Sequence, residues 1–162
     1  MTALERTRGV LDTSTVILLP RLSDPTVLPA ESLITAVTLA ELSVGPLVAR
    51  SDQERAARQA LLQQAETDFD AIPFDAAAAR AFGQVAASLR RSGRKSSARA
   101  YDAMIAATAL ANGLPVYTCN PSDFSGIDGL AVLPSRIPIP STDLKRPAPQ
   151  SPHCQKGRWS RL

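Results

Sequence analysis

Between residues 8 and 133 short apolar runs alternate with stretches of helical periodicity, and that alternation restricts the chain to few architectures. Residues 8–14 (RGVLDTS) read as a strand ending at Asp12, with a turn opening a helix near Ser14. Prolines at 20, 25 and 29 then break the chain. Residues 32–37 (SLITAV) form a β-branched run suited to a buried strand, and Thr38 opens the next helix. Ser51, with Glu54 three residues on, starts a surface helix reaching about Asp68. Residues 69–74 contain Pro73, which restricts them to an edge strand or a plain connection. Asp75 caps an alanine-rich helix that Gly93 ends, and a further helix over 98–112 stops at Gly113. Residues 114–119 (LPVYTC) return as a strand, 120–129 form a loop, and 130–133 add a last strand. Parallel strands need helical crossovers, so the pattern predicts an α/β fold: an α/β/α sandwich around a central parallel sheet.

One domain over residues 1–140 accounts for the patterned part of the 162-residue chain. Beyond it the text changes to Pro, Ser, Gln, Lys and Arg without apolar periodicity, and residues 141–162 are expected to be a disordered basic tail. The net charge of +3 comes from that tail. Residues 1–140 hold 13 Lys and Arg against 14 Asp and Glu, whereas 141–162 hold five against one. Basicity therefore says little about the partners of the folded part. No apolar run approaches the length of a membrane span and the first residues are polar, which predicts a cytoplasmic protein without membrane attachment. Cys119 and Cys154 lack the spacing of a zinc site, and two thiols in a cytoplasmic chain stay reduced.

In a parallel sheet, ligands bind beyond the carboxyl ends of the strands, where the candidate acids gather. Asp12 ends the first strand, Glu41 follows the second, Asp102 stands near the start of the helix before residue 114, and Asn120 and Asp123 follow the strand 114–119. Clustered carboxylates repel one another and require either a cation or bound protons, and hard oxygen donors suit Mg²⁺ or Mn²⁺. Each acid also has a plain local role available. Asp12 and Asp123 fit turn or cap positions, Asp102 suits a first helical turn, and Thr38 with Glu41 satisfies a capping box. The one histidine, His153, lies in the tail, so a Ser-His-Asp triad within the patterned region is excluded.

Four strings carry a more specific signal: Val10-Leu-Asp-Thr-Ser, Val37-Thr-Leu-Ala-Glu-Leu, Tyr101-Asp-Ala-Met-Ile-Ala-Ala-Thr-Ala and Tyr117-Thr-Cys-Asn-Pro-Ser-Asp-Phe. In order and approximate spacing they resemble the motifs of PIN-domain ribonucleases, most closely the VapC toxins of bacterial type II toxin–antitoxin pairs. The resemblance covers about residues 8–134. It implies an endoribonuclease dependent on Mg²⁺, with Mn²⁺ able to substitute, acting on single-stranded RNA or tRNA loops and leaving a 5′-phosphate. It also implies a VapB-like antitoxin as partner and a homodimer. Carried over by motif, Asp12, Glu41 and Asp102 become the catalytic metal ligands, and Ser14 and Thr118 substrate contacts. The fourth position departs from the pattern, because Asn120 stands where many members carry an acid. Asp123 is then expected to complete the catalytic set as an outer or water-bridged ligand, with Asn120 orienting water or substrate. Arg90, Arg91, Arg94, Lys95 and Arg99 form a run of cations before Asp102. Arg94 and Arg99 are the expected phosphate contacts, although a solvated helix end explains the run equally well. Two other functions fit parts of the pattern. A non-catalytic PIN-type module binding RNA or a partner is consistent with Asn120. A phosphohydrolase with Asp12 as covalent nucleophile lacks its second aspartate, because that place is Ser14.

Overall fold

The computed structural model describes residues 7–22, 24–93 and 100–135. The expected disordered tail over 141–162, with His153 and Cys154, and the expected phosphate contacts Arg94 and Arg99 lie outside the described residues.

Five parallel strands form one sheet in the order β3-β2-β1-β4-β5. The strands are β1 (Arg8–Leu11), β2 (Glu31–Thr35), β3 (Ala71–Ile72), β4 (Val116–Thr118) and β5 (Val132–Pro134). Between them run helices α1 (Thr13–Leu18), α2 (Ala36–Leu47), α3 (Asp52–Asp68), α4 (Ala76–Arg91) and α5 (Ala100–Ala111). The architecture is the α/β/α sandwich that the alternation predicts. β1 is central, with Val10 paired to both Leu33 of β2 and Val116 of β4. Pro73 leaves the two-residue β3 at one edge.

Successive strand residues face opposite sides, so each strand feeds two cores. Val10 and Val116 pack under α4 and α5 with Val85, Leu89, Ile105 and Phe124. Leu11 and Tyr117 pack on the other side with Val16, Ile34, Leu42 and Ala65. Gly9 has a steric reason: a Cβ there would lie 2.4 Å from Cε2 of the buried Tyr117 ring.

The helix starts follow side-chain caps. Ser51 accepts from the Glu54 N–H at 3.1 Å, and Asp75 Oδ1 accepts from Ala77 and Ala78 N–H groups, both at 2.9 Å. Gly93 and Gly113 follow the ends of α4 and α5 with φ of 74° and 64°. The start of α2 differs from expectation. The helix begins two residues earlier than Thr38, because Thr35 Oγ1 accepts from the Thr38 N–H at 3.1 Å and makes Thr35 the cap. Among the described residues no helix is long and apolar enough to cross a membrane.

Candidate active site

The carboxyl ends of β1 and β4 lie side by side, and their last residues build the centre of the site. Asp12 leaves β1 as the cap of α1 and is 5% exposed. Its Oδ1 accepts from the Thr15 N–H at 2.9 Å, and Ser14 Oγ reaches both carboxylate oxygens at 3.0 and 2.8 Å. From the neighbouring strand, Thr118 Oγ1 donates to Asp12 Oδ2 at 2.7 Å. Behind this turn Thr15 Oγ1 donates to the Tyr117 carbonyl at 3.2 Å and shares a 2.8 Å hydrogen bond with Ser135. The hydroxyls of Ser14, Thr15 and Thr118 therefore hold one carboxylate and its turn.

Thr13 reaches the other way. Its hydroxyl donates to Glu41 Oε2 on α2. With α2 starting at Ala36, Glu41 stands in the second turn, away from the orphan N–H groups of the helix start. The capping-box role open to it in the sequence is thereby removed. Burial pushes the Glu41 carboxyl up to about 7, with the Thr13 hydroxyl opposing the rise and the Asp12 charge adding to it. Burial also raises Asp12 above its ordinary value, against the hydrogen bonds from Thr118, Thr15 and Ser14, which favour the ionised form.

After β4 the chain turns on itself. Asn120 donates its N–H to Thr118 Oγ1 at 2.9 Å and its side-chain amide to Asp123 Oδ2 at 2.5 Å, while Ser122 Oγ donates to Asn120 Oδ1 at 2.8 Å. Asn120 and Asp123, alternatives in the sequence, are thus partners of one another beside the Thr118–Asp12 bond. Asp102 lies half-buried in the first turn of α5. Among the described residues, no three Asp, Glu, His or Cys side chains stand close enough to hold a metal ion together. The structure joins Asp12 with Glu41 and Asn120 with Asp123, and leaves Asp102 outside a three-ligand cluster. Of the cationic run, Arg91 is committed to an ion pair with Asp128 at 2.5 Å, and Arg90 is exposed.

The donor chemistry at Asp12 and Glu41 fits a divalent cation. Both side chains offer hard oxygens, both are pushed toward protonation, and no Lys or Arg among the described residues pairs with either. A cation held by both would offset the penalty on each. Sequence reasoning missed Thr13, Thr15 and Ser135. The run of hydroxyl residues after Asp12 was visible, but their partners lie 28, 102 and 120 positions away.

Comparison with known proteins supplies the context for this geometry. The family model described as the PIN domain matches residues 10–130. The chain is 41% identical over 125 residues to "Ribonuclease VapC5" of Mycobacterium tuberculosis, covering 76% of this chain and 90% of that one. It is 36% identical over 97 residues to the "tRNA(fMet)-specific endonuclease VapC" of Shigella flexneri, covering 60% of this chain and 70% of that protein. The crystal structure of VapBC-5 from Mycobacterium tuberculosis, a member of the VapBC family of toxin–antitoxin systems, superposes with a TM-score of 0.69 at 40% identity. That match covers 81% of this chain and 99% of the solved one. With its motifs, its sheet order and its close relatives in agreement, the chain belongs to the PIN-domain family, in the VapC branch.

Proposed function

We propose that this chain is a metal-dependent endoribonuclease and the toxin of a type II toxin–antitoxin pair. The observation that carries the reading is the pair of acids Asp12 and Glu41, held close together at the carboxyl edge of the sheet without a basic partner among the described residues. Two ionised groups in such a place are costly without a cation. PIN-domain ribonucleases use divalent metals, and an all-oxygen donor set suits Mg²⁺, with Mn²⁺ able to substitute. Asp12 and Glu41 hold the ion in this reading, with Asp102 as third ligand and Asp123 acting through water. When bound, the ion supplies positive charge to the scissile phosphate and lowers the pKa of a coordinated water.

The chain's own side chains prepare that chemistry. Ser14, Thr15 and Thr118 keep both oxygens of Asp12 in fixed directions, so little reorganisation accompanies the reaction. Asn120 orients water or a phosphate oxygen beside Thr118. Arg90, Arg94 and Arg99 draw the RNA backbone toward the acids. The substrate is RNA with an accessible single-stranded or tRNA loop, in keeping with the tRNA-specific name of the Shigella flexneri relative. A VapB-like antitoxin is the regulatory partner, as in the VapBC complexes that share the fold, and in this reading the toxin pairs with a second copy of itself. In this reading the ribonuclease domain is assigned to residues 1–140 and the basic tail to 141–162, from the sequence pattern.

Purified protein with Mn²⁺ should cut RNA, EDTA should stop it, and Asp12→Asn or Asp102→Asn should abolish cutting. Undiminished cleavage by both variants would overturn the proposal. A second reading, a non-catalytic PIN module, draws on Asn120 in the acid's place and on the lack of a three-ligand cluster among the described residues. Calorimetry decides between them: no Mn²⁺ binding with RNA affinity intact favours the module.

A further inference from the structure

We propose that Thr13 is a positioning residue whose hydroxyl sets the direction in which Glu41 meets a divalent cation beside Asp12. The inference rests on the metal-dependent reading above and adds to it a residue that none of the four sequence motifs marks as a ligand.

Thr13 is the first residue of α1, immediately after the cap Asp12. Asp12 is tied to Thr118, Ser14 and Thr15, so the start of α1 has one orientation relative to β1 and β4. From that fixed turn Thr13 Oγ1 reaches across to Glu41 Oε2 on α2, 28 residues later in the chain. A β-branched side chain is stiff at χ1, so the direction of the hydroxyl follows from the backbone. Glu41 comes from the second turn of a separate helix, and its side chain has three rotatable bonds. Its negative neighbour Asp12 repels it. The Thr13 bond opposes that repulsion and occupies Oε2. Among the described residues no other group is seen to donate to the Glu41 carboxylate, so this one hydroxyl sets its orientation. One rigid turn thus fixes the relative placement of both acids: Asp12 by its backbone, Glu41 through the adjacent threonine. Hydrogen-bond partners that orient ligating carboxylates are worth about 10–100-fold in metal affinity.

The test titrates Mn²⁺ into full-length protein by calorimetry, with thermal melting in EDTA alongside. Thr13→Val keeps the branched shape and removes the hydroxyl, and Thr13→Ser keeps the hydroxyl. The expected result is Mn²⁺ affinity about tenfold weaker for Thr13→Val and within about threefold of wild type for Thr13→Ser, with every variant folded in EDTA. Wild-type affinity in Thr13→Val, or a lowered melting temperature with unchanged affinity, overturns the positioning role and assigns the hydroxyl to structure alone. Should Thr13→Val fail to fold, Thr13→Ala is read by the same criteria. If wild type itself binds no Mn²⁺, the metal-dependent reading fails first and takes the inference with it. That result is distinct from wild-type binding that Thr13→Val does not disturb.

Discussion

The turns after β1 and after β4 leave neighbouring strands at the same edge of the sheet, yet they hold their acids in opposite ways. Asp12 is buried and receives Thr118 from the adjacent strand in addition to Ser14 and Thr15 of its own turn. Asp123 is half-buried and receives Asn120 of its own turn. An acid bound across strands is placed by the whole sheet. An acid bound within its turn is placed by a few local residues and can move when that turn moves. Asp12 is therefore tied across the sheet, whereas the Asn120 hydrogen bond ties Asp123 to its own turn.

The comparison is broken most directly by exchanging charge for amide at Asp12. Asp12→Asn should lower the rate of RNA cleavage by about 10²–10³-fold or more, on the scale seen when a preorganised charge-stabilising group is lost. Single-turnover cleavage under saturating Mn²⁺ measures this.

The second effect comes from pH. The Glu41 carboxyl is raised from 4.5 to about 7 in the folded protein, so the metal-free fold holds a proton that the unfolded chain releases earlier. Between those values the native state binds more protons, and stability falls as pH rises. The loss begins near pH 4.5 and is complete somewhat above 7. It amounts to about 3 kcal/mol at most. The raised Asp12 carboxyl adds a change of the same sign. Urea denaturation in EDTA across this range should show the decline, and Mn²⁺ at neutral pH should reverse it. A flat profile would mean that the two acids are not confined as described.

The third effect tests the contact between β1 and β4. Gly9→Ala drives a methyl toward the buried Tyr117 ring, and a cost of about 1–3 kcal/mol is expected from overpacking. Thermal melting reads it, and a smaller residue at 117 should recover part of the loss. The smallest effect belongs to the turn after β4. Asp123→Asn should reduce cleavage by less than about tenfold, because its Oδ2 accepts from a neutral amide in its own turn. A loss equal to that of Asp12→Asn would erase the contrast between the two turns.

How much of this was legible in the sequence depends on how far each cause reaches. The caps at Ser51 and Asp75 and the stops at Gly93 and Gly113 are local, and the chain states them directly. The start of α2 is local too, but residues 35–41 (TAVTLAE) contain two overlapping cap patterns, one from Thr35 and one from Thr38. The choice between them is made by where β2 stops pairing, with Thr35 still opposite Ile72 of β3. Sequence order alone therefore could not release Glu41 from a capping role. Asp12 was legible because it ends an apolar strand. Thr13 and Ser135 were not, since their roles arise only when α1 approaches α2 and when β5 closes the sheet beside β4. The bond between Asn120 and Asp123 was not legible either, since it forms only when the chain turns back after β4.

Thr118 holds Asp12 from a point 106 residues further along the chain. During synthesis β1 emerges first, and β2 can pair with it early, but one flank of β1 stays open until β4 has been made. A nascent chain halted anywhere before Val116 therefore has Asp12 without its cross-strand donor and with its backbone N–H unpaired to Tyr117. Contacts of such sequence separation form late. The centre of the proposed nuclease is therefore among the last parts of the fold to be completed.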